Sequence, residues 1–79
     1  MKISKTIDLT GELCPINFIK AKIALEDLKK QEILEIYLDD GIPIKNVPRS
    51  LELDGHIVLD IEKVDEAYRV LVQKEGLNV

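Results

Sequence analysis

Cys14 and His56 are the only cysteine and histidine in the sequence. One cysteine cannot form a disulfide within the chain, and one imidazole cannot build a paired-histidine metal site. Cys14 is the leading candidate for a reactive side chain, because a thiolate attacks sulfur or carbon. His56 follows Gly55 and is distant in sequence from Cys14, which favours a hydrogen-bonded or exposed structural role for the imidazole.

Cys14 stands at the predicted start of a helix, directly before Pro15, and proline suits a first helical position because its missing N–H is not needed there. Backbone N–H groups and the positive end of the helix dipole converge at such a position and favour a thiolate. If Cys14 is the N-cap, its sulfur can accept from the N–H groups of Ile16 and Asn17. The competing interpretation is a small buried side chain. The preceding Gly11-Glu12 turn favours a surface position instead.

Other chemistry-bearing patterns are weak. Asp39 and Asp40 offer carboxylates for a cation, but two adjacent residues supply few ligands, and a turn leading into a helix is the favoured interpretation. The four glycines are scattered, so no phosphate-binding loop is predicted. Without an acid, base or metal near it in sequence, Cys14 is better suited to carrying a group than to a complete catalytic cycle. No cofactor is implied.

The composition limits the classes of function. A chain of 79 residues, 46% hydrophobic and 33% charged, predicts one globular domain over residues 1–79. Its net charge of −4 and its three aromatic residues disfavour direct nucleic-acid binding. No apolar stretch is long enough to cross a bilayer, and the N-terminus lacks the apolar core of a signal peptide. Together with the single cysteine, these features predict a cytoplasmic protein with no membrane role.

Apolar and polar residues alternate in four segments, which is the pattern of half-buried strands. The predicted strands cover residues 3–9, 33–38, 57–62 and 68–73. Asp65 and Glu66 join the last two strands, and the tail from Gln73 to Val79 is expected to be frayed.

Two segments have helical spacing. The first is predicted from Pro15 to about Lys30. The second covers residues 43–53 and ends at Gly55. Pro48 removes an amide donor inside it, so this helix should be kinked or should begin only near Val47.

The first helix carries two apolar stripes. The wider stripe should lie on the sheet; its residues are Phe18, Ala21, Leu25 and Leu28, with Ala24 at the margin. Ile16, Ile19 and Ile23 form the narrower one, called the α1 stripe below. Packing against a neighbouring helix is the favoured interpretation of the α1 stripe, and an apolar docking patch beside Cys14 is the alternative.

The resulting order is β-α-β-α-β-β. Strand, crossover helix and strand in succession favour right-handed crossovers that place both helices on one face of the sheet. The predicted fold is therefore α+β, a two-layer α/β sandwich with a four-stranded mixed sheet and two helices on one face.

The chain resembles the TusA (SirA-like) sulfur carriers over nearly its whole length. The residues that carry the resemblance are the segment from Leu9 to Cys14-Pro15, the pair Asp39-Asp40 and the pair Val47-Pro48. The resemblance implies the same fold and a cysteine that accepts persulfide sulfur from a cysteine desulfurase and passes it on, in the best-known case towards tRNA thiolation. Cys14 would then be the persulfide carrier, and Pro15 would set the helix start. Asn17 stands where the family's Cys-Pro-x-Pro motif has its second proline. Because Asn17 adds an N–H, we expect the thiolate to be at least as well stabilised here.

Two classes of function remain open from the sequence. The first is a sulfurtransferase-like carrier that docks to its sulfur donor and to an acceptor protein near the first helix. The residues expected to frame that docking surface, besides Ile16, are Ile19, Lys20, Lys22, Asp39 and Asp40. The second is a regulatory or protein-interaction module of the same fold in which Cys14 is structural. An RNA-binding domain is disfavoured by the net charge.

Overall fold

A computed structural model of the chain describes residues 2–75. Its element order is β1 (Lys5–Asp8), α1 (Ile16–Glu26), β2 (Ile33–Asp39), α2 (Ile42–Leu53), β3 (Ile57–Val64) and β4 (Ala67–Gln73). The predicted order β-α-β-α-β-β and the α+β class are confirmed.

The four strands form one mixed sheet in the order β1-β2-β4-β3. β1 runs parallel to β2, while β4 lies between β2 and β3 and is antiparallel to both. The C-terminal ends of β1 and β2, and the N-terminal ends of the helices that follow them, therefore lie at the same edge of the sheet. That edge is where Cys14 is found.

The core fills the space between the helices and one face of the sheet. It takes side chains from both helices and from the two central strands, so both helices cover the same face, as predicted. Full burial of each Val, Leu or Ile side chain contributes about 1.5–3 kcal/mol. The core residues are Leu9, Ala21, Ala24, Leu25, Leu28, Leu34, Ile36, Leu38, Val47, Leu51, Val70 and Val72.

The wider stripe of the first helix lies on the sheet as expected, with Phe18 partly buried against the core. The helix itself is shorter than predicted, because α1 ends at Glu26 and not near Lys30. A tight turn replaces the last helical turn: the amide of Asp27 donates to the Ala24 carbonyl, and the Lys29 amide donates to the Glu32 carboxylate.

Pro48 lies inside α2 and does not mark its start. The helix begins at Ile42 and continues through Pro48, so a start near Val47 is wrong. Its end is the predicted one. Gly55 has a φ of +94°, and the amides of Gly55 and His56 donate to the carbonyls of Glu52 and Leu51, which closes a Schellman motif.

Strand boundaries also differ from the prediction. β1 is confined to four residues, the segment that pairs with β2. The expectation of a frayed tail is wrong for Gln73, Lys74 and Glu75, because Gln73 belongs to β4 and Lys74 exchanges backbone hydrogen bonds with Gln31 and Glu32. Residues 76–79 of that tail lie outside the described residues.

Candidate functional site

Two loops at the edge of the sheet enclose an open cleft of about 660 Å³. One wall is the segment between β1 and α1, residues 9–15, called the Cys14 loop. The other wall is the end of β2 with the start of α2. The residues lining this Cys14 cleft are Gly11, Glu12, Leu13, Cys14, Asp39, Asp40, Ile42 and Pro43.

Cys14 is exposed in the turn that precedes α1, so the interpretation of a buried structural thiol is wrong. The peptide bond from Cys14 to Pro15 is cis. Leu13 beside it is 78% exposed and Ile42 across the cleft is 63% exposed, which places the thiol among apolar side chains open to solvent.

The cap of α1 differs from the expectation. Pro15 and not Cys14 is the N-cap, and no side chain caps the helix. The amide of Asn17 donates to the Leu13 carbonyl at 3.1 Å, so it is not available to the Cys14 sulfur. Ile16 is the first helical residue. The expected second donor to the thiolate is therefore absent in the described structure, because the turn before the helix uses that amide in the backbone.

Asn17 instead lies in the interior. It is fully buried, its Oδ1 accepts the Phe18 amide at 2.7 Å, and its Nδ2 has no partner among the described residues. The sequence contains a signal for this position, since Asn17 precedes Ala21 by four residues and so continues the wider apolar stripe. The burial of the Asn17 side chain was not predicted.

Short polar contacts shape the Cys14 loop. The Asp8 carboxylate accepts from the backbone amide of Thr10 at 2.9 Å and from its hydroxyl at 2.6 Å, and these bonds lower the pKa of Asp8. Asp39 accepts from the amide of Gly11 at 2.7 Å, and Glu12 pairs with Lys20 at 2.7 Å. Asp8, Thr10 and Gly11 were not foreseen in this role, although Asp followed two residues later by Thr is a local turn signal.

The five residues expected to frame a docking surface do not all converge. Asp39 and Asp40 line the Cys14 cleft, and Lys20 reaches its wall through Glu12. Lys22 lies elsewhere, over the ring of Phe18 and within 3.5 Å of the Asp54 carboxylate. Ile19 is exposed on α1 outside the cleft.

The α1 stripe is open to solvent: Ile16 and Ile19 are each 45% exposed and Ile23 is 55% exposed. The expectation that it packs on a neighbouring helix is wrong, because α2 buries Val47 and Leu51 in the core. The alternative, an apolar docking patch, is taken up below.

The residues described contain no cluster of three or more side chains suited to holding a metal ion. His56 lies at the start of β3, at the opposite edge of the sheet from Cys14, where its Nδ1 accepts the Glu75 amide at 3.2 Å. Burial lowers the pKa of His56. The predicted hydrogen-bonded structural role is confirmed. None of the helices in residues 2–75 is both long and apolar enough to span a membrane.

The described structure is a small α+β fold with one exposed thiol before its first helix. The model of the family described as sulfurtransferase TusA matches residues 5–74. The chain belongs to the TusA family.

Named relatives agree with this assignment. The chain is 40% identical over 76 residues to a "Putative sulfur carrier protein" of Archaeoglobus fulgidus, covering 95% of this chain and 86% of that protein. It is 38% identical over 68 residues to the "Putative sulfur carrier protein YedF" of Escherichia coli, covering 86% and 88%. The crystal structure of a SirA-like protein from Desulfitobacterium hafniense superposes with a TM-score of 0.76 at 29% identity, covering 91% of this chain and 99% of that one. The names of these relatives support a sulfur carrier role.

Proposed function

We propose that Cys14 accepts sulfur as a persulfide from a cysteine desulfurase and relays it to an acceptor protein. The observation that carries this proposal is the exposure of the single thiol at the rim of an open cleft, in a chain of the TusA family. A thiol that must meet the reactive groups of two partner proteins in turn has to be reachable from solvent.

The transfer step is a thiol–persulfide exchange. The Cys14 thiolate attacks the terminal sulfur of a donor persulfide, R–S–SH, and forms a new bond between Sγ and that sulfur. The S–S bond of the donor breaks, and the donor leaves as the thiolate R–S⁻. The electrons balance without an external oxidant or reductant. The same exchange at an acceptor thiol unloads Cys14.

The cleft supplies little of the chemistry itself. Its described lining holds three carboxylates, Glu12, Asp39 and Asp40, together with apolar side chains and no basic one. The donor and acceptor must therefore provide the groups that generate the persulfide and that protonate the leaving thiolate. Such a protein acts as a carrier, and its sulfurtransferase activity requires a partner protein.

Docking is proposed to use the apolar surface beside the thiol. Leu13 and Ile42 expose large side chains at the cleft, and the α1 stripe (Ile16, Ile19 and Ile23) exposes three more on α1. Lys20 and Asp40 supply polar residues of this surface, whereas Lys22 lies away from the cleft beside Asp54. We propose tRNA thiolation or another sulfur relay in the cytoplasm as the setting, since a free exposed thiol persists in a reducing compartment.

The proposal is tested by intact-mass spectrometry after incubation with a cysteine desulfurase and free cysteine. We expect the chain to gain one sulfur atom, reversibly with reductant, and Cys14→Ser to gain none. If the chain gains no sulfur while Cys14 reacts readily with a small alkylating agent, the desulfurase is the wrong donor. If the chain gains no sulfur and Cys14 also fails to react with the alkylating agent, the carrier proposal fails and the interaction-module hypothesis is favoured.

A further inference from the structure

Within residues 2–75, few hydrogen bonds join the Cys14 loop to β2. Its first residue, Leu9, is buried and donates its amide to the Tyr37 carbonyl of β2 at 2.9 Å. Beyond Leu9 the loop leaves the sheet. The next hydrogen bond from the loop to β2 is the one from the Gly11 amide to the Asp39 carboxylate, at 2.7 Å.

The other polar contacts of the loop do not reach β2. Asp8 closes a turn on Thr10, and the carboxylate of Glu12 pairs with Lys20 on α1. Within the described residues, Asp39 therefore provides the one side-chain hydrogen bond that joins the two walls of the Cys14 cleft. The two residues it joins are 28 positions apart in sequence.

The geometry at Gly11 makes this bond specific. Gly11 has a φ of +84°, a backbone conformation that residues other than glycine rarely adopt. In this conformation its amide donates to Asp39. A Cβ at Gly11 would meet no atom within 4 Å, so the glycine is required for its backbone conformation and not for space. Gly11 is three residues before Cys14 in the same loop.

We propose that Asp39 is a positioning residue for Cys14: by accepting the Gly11 amide, its carboxylate fixes the Cys14 loop against the end of β2. This assigns Asp39 to the inside of the site and not to the docking surface. Asp40 differs, because its carboxylate accepts the amide of its own neighbour, Gly41, at 2.8 Å. The consequence for sulfur transfer rests on the proposed function; the consequence for the loop does not.

Asparagine separates this role from an effect of charge. In the Asp39→Asn variant the side-chain amide oxygen can still accept from Gly11, whereas the alanine of Asp39→Ala has no acceptor. If Asp39 acted through its charge on Cys14 or on a basic partner, asparagine would fail as alanine does. Rescue by asparagine is therefore the distinguishing result.

Two readouts test the proposal. The first is hydrogen exchange of the Gly11 amide measured by NMR, which needs no partner and no sulfur. We expect protection in the unmodified protein, exchange about threefold to tenfold faster in Asp39→Ala, as for the loss of one hydrogen bond, and near-native exchange in Asp39→Asn. Asp40→Ala is the matched control and should release the amide of Gly41 but not that of Gly11.

The second readout is the rate of persulfide loading of Cys14 by a desulfurase. We expect Asp39→Ala to load more slowly by a similar factor, Asp39→Asn to recover most of the native rate, and Asp60→Ala, which removes an exposed carboxylate of β3, to load normally. An unprotected Gly11 amide in the native protein, or an asparagine variant as impaired as the alanine variant, would overturn the proposal. A native protein that never loads would refute the proposed function while leaving the exchange result to decide the role of Asp39.

Discussion

Cys14 and Asn17 are close in sequence but lie in opposite environments. Cys14 is exposed at the rim of the cleft, whereas Asn17, three residues later, is fully buried, and its Nδ2 has no partner among the described residues. A buried polar group without a partner costs about 1–3 kcal/mol. The thiol can therefore be modified without disturbing the core, while changes at Asn17 should act on stability.

Replacing Asn17 with Asp tests this contrast. The variant keeps the oxygen that accepts the Phe18 amide and puts a second, unpaired carboxylate oxygen in place of Nδ2. We expect a free energy of unfolding lower by about 1–3 kcal/mol at neutral pH, measured by urea denaturation. Burial raises the pKa of such a carboxyl group, so the folded state binds the proton more tightly and the loss should shrink as the pH is lowered.

Asn46→Asp on α2 is the matched control, since Asn46 is exposed. Equal effects of the two substitutions would mean that the Nδ2 side of Asn17 is accessible to water and that the site is not closed.

The sequence predicts only part of the structure around Cys14. The lone cysteine, its proline and the preceding glycine turn were enough to predict an exposed thiol before a helix. The cap was not predictable in the same way, because whether Asn17 donates to Sγ or to the Leu13 carbonyl depends on how the preceding turn is wound. Local spacing does not determine that geometry.

At the scale of elements, a polar network crosses all four strands on the face of the sheet away from the helices. Glu35 of β2 accepts from Thr6 of β1 at 2.9 Å and from Arg69 of β4, and Arg69 also pairs with Glu62 of β3 at 3.1 Å. Glu35 is only 9% exposed. The network therefore links the edge strands to the central pair.

Glu35 should contribute to stability in a way that depends on pH. Its bond to Arg69 holds the pKa of Glu35 below its ordinary value of 4.5. A lowered pKa in the folded state stabilises the fold above that ordinary value, and this contribution is lost as the pH falls through the folded value. We expect Glu35→Gln to lose about 1–3 kcal/mol at neutral pH and to flatten the acid side of the stability profile.

Glu52→Gln, on the exposed face of α2, should change neither quantity. Indistinguishable acid profiles of Glu35→Gln and the unmodified protein would contradict the assignment.

His56 links the start of β3 to the chain beyond β4 through the Glu75 amide. Burial lowers the pKa of His56 below its ordinary value of 6.5, so the unfolded chain binds the proton more readily than the folded one. Stability from this group is complete above 6.5 and decreases as the pH falls towards the folded value. An NMR titration of the imidazole should show the lowered pKa, and a value at or above 6.5 would contradict the role of a partly buried hydrogen-bond acceptor.

Element types were predictable because apolar periodicity reports them directly. The boundaries were not. α1 stops at Glu26 because the Lys29 amide is bonded by the Glu32 side chain and Gln31 adopts a positive φ of 75°, although the apolar spacing continues through Leu28. β3 contains a bulge between Val58 and Asp60, which alternation alone does not reveal.

At the scale of the whole molecule, the outer surface combines a net charge of −4 with exposed isoleucines on the helical layer. The class of fold followed from the sequence, but the Cys14 cleft did not, since it needs Gly11 and Asp39 brought together by the pairing of β1 with β2. Ile42, 63% exposed across from the thiol, was likewise not foreseen.

Docking through the α1 stripe predicts an effect on partner recognition without an effect on the reactivity of Cys14. Ile19→Ser should raise the KM of a desulfurase for this protein about fivefold, which corresponds to about 1 kcal/mol. The alkylation rate of Cys14 should not change. Ile61→Ser on β3 is the matched control, because Ile61 is 47% exposed and Ile19 is 45% exposed. Equal KM values for the two variants would exclude the α1 stripe from the interface.

Direct transfer of one sulfur atom to Cys14 can be followed by mass balance in a single turnover. A desulfurase loaded with persulfide and freed of cysteine is mixed with this protein, and both intact masses are followed over time. The predicted result is that the sulfur lost by the desulfurase appears on this chain in equal amount, on Cys14 alone. Sulfur leaving the desulfurase as free sulfide, with the mass of this chain unchanged, would contradict direct transfer to Cys14.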